Sequence, residues 1–449
     1  MIPDLLEKNA YKFPNRKFFK YKDSTYTYSE LNNCVNYLID SKVLLDEYSR
    51  VGIASSNPAV VLIGLFLCNR INKIPFVLSV DELVFRSCNK VAKCDYVFSD
   101  KDCTMQYNFN SQFVGYEYLS DDVQCVLFTS GSSGKPKGVE LTFSNIFESC
   151  KNWSNVYKFK KNDNYLNVLP INHISGLSIF FRSLYSNFFT IYHKYDKDNI
   201  VDLLQKNNVT CFSAVPKIIY DIIKIHKSVD FFKKINFLLI GGDLIKKEIF
   251  DYLHLNRIKA YISYGLTETS SGISGYWVED MNKFERGYIG LPHLNTNLLI
   301  YNNYLQVSSK TVMKRYLGGE LYKNIFLTND LFTIKNDKLY FIGRNDSQII
   351  SGGENINLDN IQIAINDSNL ENIVVSSHFS DKWGQVIVAL YESKIINNDI
   401  VHKIKVFFKN NFPKFMFPKH IINISYIPKL ENEKIDYCRI KKYIERSFN

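Results

Sequence analysis

Residues 127–139 read LFTSGSSGKPKGV, an apolar strand pattern that leads into a loop rich in glycine, hydroxyl and lysine side chains. Glycines allow a ligand to approach the main chain closely. Successive backbone amides in such a loop form an anion-binding nest, and the lysines add positive charge. Lys135 is followed by Pro136 rather than by Ser or Thr, which excludes a Walker A loop. The stretch therefore predicts a polyanion site made of Thr129, Ser130, Gly131, Ser132, Ser133, Gly134, Lys135 and Lys137.

A second stretch, ISYGLTETSSG at 262–272, combines the end of a strand with a hydroxyl and a carboxylate. The pattern predicts that the strand ends at Tyr264 and that Gly265 allows a turn. Thr267 then presents a hydroxyl, and Glu268 presents a carboxylate one residue further on. Because Mg²⁺ prefers hard oxygen ligands that it shares with phosphates, Glu268 is a candidate metal ligand beside the phosphate loop.

The phosphate-loop stretch, extended to LFTSGSSGKPKGVELTFSNI, resembles the signature of the adenylate-forming superfamily: acyl-CoA synthetases, luciferases and peptide-synthetase adenylation domains. Further matches follow in the family's order and together cover nearly the whole chain. The resemblance implies an enzyme that binds ATP and Mg²⁺, with Thr267 at the phosphates and Glu268 at the metal ion. The other ATP-binding residues that it implies outside the loop are Gly241 and Gly242 of LLIGGDLI, Tyr264, Gly265, Asp330 and Arg344.

Another long stretch, TNDLFTIKNDKLYFIGRNDSQIISGGENI, matches the family around a domain junction. Asp330 matches the aspartate that binds the ribose hydroxyls, a role in which two acceptor oxygens suit a vicinal diol. Arg344 matches the arginine at the junction, and Asp346 matches the hinge. Gly352 and Gly353 match the glycine-rich loop that enters the site for a second half-reaction, in which CoA is the acceptor.

Near the end of the chain, IPKLENEKIDYCRIKKYI resembles the family pattern P-x-T-x-x-G-K-x-x-R only in part. Pro428 and Lys434 align, but Leu430 stands for Thr, Glu433 for Gly and Tyr437 for Arg. The resemblance gives Lys434 a catalytic role, since an ammonium that meets the acyl carboxylate and the α-phosphate stabilises developing charge. An ordinary surface lysine remains the alternative.

The stretch LPINHISGLSIFFRSLYSNFFTIYH carries the information on the acid. The resemblance puts His173 at the edge of the acyl pocket, as a catalytic residue that gates the carboxylate. HISGLSIFFRSL, together with ISGGENI, is most similar to o-succinylbenzoate–CoA ligases of menaquinone synthesis. A dianionic acid needs a second anchor, which Arg182 could supply, although a solvated arginine on a helix is the open alternative. Ser175 and Gly176 suit a small aromatic ketoacid pocket.

The resemblance thus implies an AMP-forming acid–thiol ligase that activates 2-succinylbenzoate as its acyl-adenylate and transfers the acyl group to CoA. Two alternatives stay open. One keeps the chemistry but changes the partners, as in another acyl- or aryl-CoA ligase or an adenylation enzyme that loads a carrier protein. The other is a non-catalytic ligand-binding homologue, which the degenerate pattern around Lys434 suggests.

Alternation of short apolar strands, polar turns and helical patterns predicts an α/β fold with mostly parallel sheets. From about residue 296 the pattern changes to short antiparallel strands with Asn-Asn and Asn-Asp hairpin turns, a small β-barrel-like part. A smaller α+β unit follows. We predict a large N-terminal AMP- and acyl-binding domain over 1–345 and a small, mobile C-terminal lid domain over 346–449.

Composition narrows the class of protein further. The formal net charge is +10, but no nucleic-acid-binding signature accompanies it, so we expect no nucleic-acid partner. The nine irregularly spaced cysteines indicate a reducing compartment. The N-terminus lacks an apolar signal region, and the longest apolar run, 59–68, is too short to span a bilayer. We therefore expect a cytoplasmic protein without stable membrane insertion, and homo-oligomerisation stays open.

Overall fold

The computed structural model describes residues 1–44, 47–103, 114–130, 136–225, 231–351, 354–368, 370–380, 384–431 and 433–448. The helices within this described part are α1 (Ile2–Lys12), α2 (Tyr28–Asp40), α3 (Pro58–Arg70), α4 (Glu82–Ala92), α5 (Phe143–Val156), α6 (Ile174–Ser186), α7 (Ile200–Lys206), α8 (Pro216–Ile225), α9 (Lys247–Leu255), α10 (Leu358–Asn366), α11 (Asn398–Asn411) and α12 (Tyr437–Phe448).

The strands begin with β1 (Lys17–Tyr21), β2 (Ser24–Thr27), β3 (Arg50–Ile53), β4 (Ile74–Val77), β5 (Tyr96–Phe98), β6 (Val123–Ser130), β7 (Pro136–Thr142), β8 (Asn164–Asn167), β9 (Phe189–Tyr192), β10 (Cys211–Ala214), β11 (Phe237–Gly241) and β12 (Ala260–Leu266). They continue with β13 (Ser271–Trp277), β14 (Leu291–Pro292), β15 (Thr296–Tyr301), β16 (Tyr304–Ser309), β17 (Arg315–Tyr316), β18 (Ile325–Lys335), β19 (Lys338–Arg344), β20 (Gln348–Ser351), β21 (Glu354–Asn357), β22 (Ile373–Ser380), β23 (Gly384–Glu392) and β24 (His420–Ile424).

Two large sheets form the body of the protein, and both are parallel in the middle. One has nine strands in the order β14-β13-β12-β11-β10-β8-β9-β1-β2, and the other has six in the order β17-β7-β6-β4-β3-β5. The central strands are apolar along their whole length, as β11 (FLLIG) shows, because helices cover both faces of a parallel sheet. Antiparallel pairs appear only towards the edges. The α/β class is therefore confirmed.

A third sheet, β15-β16-β18-β19, is antiparallel, in agreement with the change of pattern near residue 296. Its hairpin turns lie at Asn302–Asn303 and at Asn336–Asp337, and all four residues have positive φ angles between 49° and 68°. A two-residue hairpin of this kind requires left-handed backbone at both positions, which Asn and Asp tolerate better than other side chains. These two turns confirm the hairpins that the sequence predicted.

The C-terminal part folds around its own sheet, ordered β21-β20-β23-β22, with β24 paired to β23. Helices α10 and α11 bury isoleucines and Phe408 against one face, and α12 buries Ile440 and Ile444 on the other. Between β19 and β20 the chain makes one 3-10 turn, Asn345–Ser347. The domain division between 345 and 346 and the hinge role of Asp346 stay predictions.

The long apolar run at 59–68 belongs to α3, whose thirteen residues, Pro58–Arg70, are all buried. It is a core helix, as its length suggested. Across the part of the chain that the structure describes, no helix has the length and apolarity that crossing a membrane requires. None of the nine cysteines forms a disulfide, and all nine lie in described residues, as the irregular spacing predicted.

Candidate active site

The predicted phosphate loop connects two antiparallel strands rather than a strand and a helix. Strand β6 pairs with β7, and Thr129 and Lys137 are cross-strand partners at the end of this hairpin. The side chain of Ser130 and the loop residues Gly131, Ser132, Ser133, Gly134 and Lys135 lie outside the described residues, so their roles stay predictions. Lys137 extends along the ring of Tyr316, with its ammonium 5.2 Å from the ring centroid.

The prediction that the strand before Thr267 ends at Tyr264 was wrong. Strand β12 continues to Leu266, and a 3-10 turn carries Thr267 and Glu268 into β13. A Cβ on Gly265 would lie 2.2 Å from the carbonyl oxygen of Ser271 in the neighbouring strand. Gly265 is therefore required by the close approach of two strands and not by a turn.

Glu268 is held by a residue that the sequence did not single out. The hydroxyl of Tyr316, on β17, donates a hydrogen bond of 2.8 Å to Glu268 Oε1. Burial, and then the neighbouring Glu268 carboxylate, raise the pKa of Tyr316, so its hydroxyl keeps its proton and stays a donor. Tyr316 thus joins the carboxylate proposed for Mg²⁺ to Lys137, which lies against the same ring.

The predicted ribose ligand, Asp330 on β18, is buried and fixed from two sides. The Tyr264 hydroxyl donates to Asp330 Oδ2 at 2.6 Å, and Arg344 Nε lies 3.2 Å from Asp330 Oδ1. Burial and the Asp330 carboxylate raise the pKa of Tyr264 well above its ordinary value. A carboxylate has about four acceptor sites, so Asp330 retains capacity for a vicinal diol. The three predicted residues meet although β12 and β18 are in different sheets.

Lys434 reaches this site from the C-terminal part of the chain. Its Cε lies 3.6 Å from the position of a Cβ on Gly242, where φ is +85° at the end of β11. Lys434 is exposed to solvent, and its Nζ lies 3.9 Å from the same Cβ position. Desolvation lowers the pKa of Lys434, Arg344 lowers it further, and the carboxylates of Asp243 and Asp330 oppose the shift. Lys434 therefore lies beside Gly242, near the charges of Asp243, Asp330 and Arg344, and its catalytic role stays a prediction.

The hairpin that carries Lys434 keeps the backbone conformation expected from the family pattern, although several of its residues differ from that pattern. The Leu430 amide donates to the Lys434 carbonyl at 2.8 Å, and the Glu433 amide donates to the Leu430 carbonyl at 3.0 Å. Glu433 has a φ of +63°, at the position where the family pattern has glycine. The backbone geometry that favours glycine is thus retained, and Lys429 pairs with the Glu433 side chain at 3.1 Å.

Substitutions at Glu433 should separate backbone geometry from side-chain chemistry. We expect Glu433→Gly to keep the adenylation rate within about threefold, because glycine adopts positive φ without cost. We expect Glu433→Val to lower that rate about tenfold, because a β-branched residue in left-handed backbone costs of order 1–3 kcal/mol. Acid-dependent pyrophosphate exchange measures both. Equal rates for the two variants would mean that this turn does not position Lys434.

His173 lies at the N-cap of α6, beside the Lys434 hairpin. Desolvation lowers the pKa of His173 to about 4, and Lys434 lowers it as well, whereas Glu431 opposes the shift. The imidazole is therefore neutral at pH 7. A neutral ring does not repel the nearby ammonium of Lys434.

The low pKa of His173 predicts an acid-dependent loss of stability. The ordinary value is 6.5 and the folded value about 4, so the unfolded chain binds more protons in this window. Stability is then fully present above pH 6.5 and is lost as the pH falls towards 4. We expect the melting temperature to fall less between pH 7.5 and pH 5 in His173→Gln than in the unchanged protein. The control His402→Gln, at an exposed position on α11, should show the pH dependence of the unchanged protein. If the melting temperature of His173→Gln fell as much as that of the unchanged protein, His173 would not be the cause of the acid-dependent loss.

Arg182, the predicted second anchor, is 2% exposed, which excludes the solvated alternative. Its guanidinium lies 4.8 Å from the ring centroid of Trp153, and Nη2 donates to Ser178 Oγ at 2.7 Å. Among the described residues, Nη1 has no hydrogen-bond partner and no carboxylate forms a salt bridge with Arg182. A buried cation without a counter-ion is costly, so the site is suited to an anion brought by a ligand.

The helix that carries Arg182 connects it to the rest of the site. The guanidinium folds back to the level of Ser178, which is five residues after His173 and so about 7.5 Å further along α6. Ser175 is half-buried on the same helix. A Cβ on Gly176 would lie 2.3 Å from the Pro170 carbonyl oxygen, so this glycine lets α6 pack closely on the preceding chain. Direct roles of Ser175 and Gly176 in acyl binding stay predictions, as do those of Gly352 and Gly353, which lie outside the described residues.

The β6–β7 hairpin on either side of the predicted phosphate loop, the buried carboxylate on β18 and the lysine from the C-terminal part suit a site that activates an acid with ATP. Residues 85–322, more than half of the chain, match the AMP-binding enzyme family. The chain belongs to this family.

Among its relatives is a 2-succinylbenzoate–CoA ligase of Lactococcus lactis, 26% identical over 96% of this chain and 98% of the relative. Another, from Bacillus cereus strain Q1, is 25% identical over 99% of both. Among solved structures, o-succinylbenzoate CoA synthetase (MenE) from Bacillus subtilis in complex with the acyl-adenylate OSB-AMP has a TM-score of 0.83, 22% identity and 98% coverage of both chains. ATP-bound MatB from Rhodopseudomonas palustris has a TM-score of 0.80 and 16% identity over both full chains. The resemblance to adenylate-forming enzymes is confirmed.

Proposed function

We propose that this protein is an AMP-forming 2-succinylbenzoate–CoA ligase, an acid–thiol ligase of menaquinone biosynthesis. The observation that carries the choice of acid is Arg182, a buried cation that has no carboxylate partner among the described residues. Within this family an acid with a second carboxylate would supply that partner. The relatives named above agree with this choice, since both are 2-succinylbenzoate–CoA ligases.

In the first half-reaction the succinyl carboxylate attacks the α-phosphorus of ATP, and pyrophosphate leaves. Lys434 donates to the carboxylate and the α-phosphate and stabilises the charge that develops there. Asp330 holds the ribose, while Thr267, Lys137 and the phosphate loop hold the phosphates. Glu268 would hold Mg²⁺, which when bound neutralises charge on the phosphates.

In the second half-reaction the CoA thiolate attacks the acyl carbonyl, and AMP leaves. A rotation of residues 346–449 about Asp346 withdraws Lys434 and brings Gly352 and Gly353 to the site, so that one pocket serves two transition states in turn. ATP and CoA as co-substrates suit a cytoplasmic enzyme, and no step requires a second copy of the chain or a nucleic acid.

The deciding experiment is acid-dependent exchange of labelled pyrophosphate into ATP, measured with Mg²⁺ over a panel of acids. We expect exchange with 2-succinylbenzoate and, on adding CoA, formation of the thioester and AMP. Exchange with another acid but not with this one would replace the substrate and keep the chemistry. Acyl transfer to a carrier protein but not to CoA would replace the acceptor. ATP binding without exchange for any acid would favour a non-catalytic homologue.

A further inference from the structure

We infer that Glu431 is a positioning residue that latches the Lys434 hairpin onto the large domain for adenylation. This inference rests on the proposed function, because it assigns Glu431 to one of the two half-reactions. One carboxylate oxygen accepts a hydrogen bond of 2.9 Å from Ser79 Oγ, and the other accepts one of 2.9 Å from Asn172 Nδ2. Both bonds join the C-terminal part of the chain to the large domain.

The two donors come from different sheets of the large domain. Ser79 follows β4 of the six-stranded sheet, and its hydroxyl is buried and also accepts from the Asp81 amide at 3.0 Å. Asn172 immediately precedes His173 and α6, which pack on the nine-stranded sheet. Glu431 thus engages the large domain at the point where its two halves meet, with both oxygens and with correct hydrogen-bond geometry.

The latch acts on Lys434 through a short connection in the chain. Glu431 is three residues before Lys434, and the hydrogen bond from the Leu430 amide to the Lys434 carbonyl closes the hairpin around both. An isolated β-bridge between Lys429 and Ile435 extends it. A shift of the Glu431 carboxylate therefore moves the base of the Lys434 side chain, whose far end packs against Gly242.

Other contacts between the two parts of the chain lie further from Lys434 in sequence. They hold the lid generally, whereas the Glu431 bonds hold the segment that carries the reacting lysine. Among the described residues these contacts include Tyr220 with Glu371 at 2.7 Å, Arg286 with Asp367 at 2.5 Å, and Asp81 with Arg439 at 3.8 Å.

The catalytic test measures the rate of each half-reaction separately in the variants Glu431→Ala and Glu431→Gln. We expect Glu431→Ala to lower pyrophosphate exchange about 10- to 100-fold, since bonds to a charged group contribute about 1.5–3 kcal/mol. Thioester formation from supplied acyl-adenylate and CoA should stay within about threefold or rise. Glu431→Gln, which keeps one acceptor oxygen, should have an exchange rate between those of Glu431→Ala and the unchanged protein. Glu445→Gln, an exposed glutamate on α12, is the matched control and should leave both rates unchanged. An equal fall in both half-reactions would overturn the latch.

A double-mutant cycle assigns the effect to the bond itself. We expect Ser79→Ala combined with Glu431→Ala to be no slower in exchange than Glu431→Ala alone, because both changes remove the same contact. Fully multiplicative effects would mean that Ser79 and Glu431 act independently and would count against the latch.

The position of the lid gives a readout that does not depend on turnover. Spin labels on Cys438, which is exposed, and on Lys206→Cys, at an exposed position of α7, report the distance between the two parts of the chain. Glu431→Ala should broaden or shift this distance distribution, and Glu445→Gln should not. If no acid supports exchange in the unchanged protein, the proposed function fails. The distances between the two spin labels then provide the only test of the latch. An unchanged distribution in Glu431→Ala overturns it.

Discussion

Lys434→Ala is expected to lower acid-dependent pyrophosphate exchange about 100- to 1,000-fold, the usual effect of removing one donor aimed at developing negative charge. Lys434 is suited to that role because it reaches the end of β11 from the other part of the chain and lies against Gly242. Thioester formation from supplied acyl-adenylate and CoA should remain within about threefold, because the proposed second half-reaction withdraws the lysine from the site.

Lys441→Ala is the matched control for this prediction, since Lys441 is an exposed lysine of the same domain, on α12. It should leave both half-reactions unchanged. Lys434→Arg tests geometry against charge, because a guanidinium keeps the charge but presents a planar fork instead of a compact ammonium. Exchange by Lys434→Ala at the rate of the unchanged protein would remove Lys434 from the mechanism.

Arg182→Met is expected to lower kcat/KM for 2-succinylbenzoate about 100-fold or more, because the proposed function makes Arg182 the desolvated partner of the ring carboxylate. The same change should alter kcat/KM for 4-oxo-4-phenylbutyrate, which lacks that carboxylate, by less than about threefold. Arg182→Lys, which keeps a charge but loses the forked geometry, should give an intermediate loss for the dianionic acid alone. Steady-state kinetics with the two acids measure this difference.

The ligand-free Arg182→Met protein should melt at the same temperature as the unchanged protein or higher. Arg182 is buried without a carboxylate partner among the described residues, and replacing such a charge by an apolar side chain of similar volume is often neutral or stabilising. Higher stability with lower activity is the signature of a cation kept for a ligand. A large drop in melting temperature, with equal losses for both acids, would instead assign Arg182 a structural role beside Trp153.

Much of the fold was predictable because its signals are local. The Asn302–Asn303 and Asn336–Asp337 turns need positive φ at two successive residues, a requirement that sequence expresses directly. The apolar strands and the fully buried α3 follow from composition over a short window. The end of β12 was not predictable in this way, because Gly265 is required by Ser271 across a hairpin and not by a turn in its own segment.

Of the candidate site, sequence motifs identified the contiguous parts: the hydroxyl and carboxylate at Thr267 and Glu268, the aspartate at 330 and the lysine at 434. They did not identify Tyr316 or Glu431. Tyr316 lies in none of the matched stretches, and Glu431 occupies an unspecified position of the pattern around Lys434. Tyr316 acts on Glu268, 48 residues away in the chain, and Glu431 acts on Ser79, 352 residues away.

The amino-acid sequence by itself determined the family, the alternation of strands and helices and the motifs of the candidate ATP site, because each depends on neighbours in the chain. Only the tertiary structure decided that Arg182 is buried beside Trp153 and not solvated, and that Glu433 has the positive φ of the position where the family pattern has glycine. It also decided that Glu431 joins the C-terminal part of the chain to Asn172. Burial and hydrogen bonding between distant segments are properties of packing, and the residue types alone are compatible with either outcome.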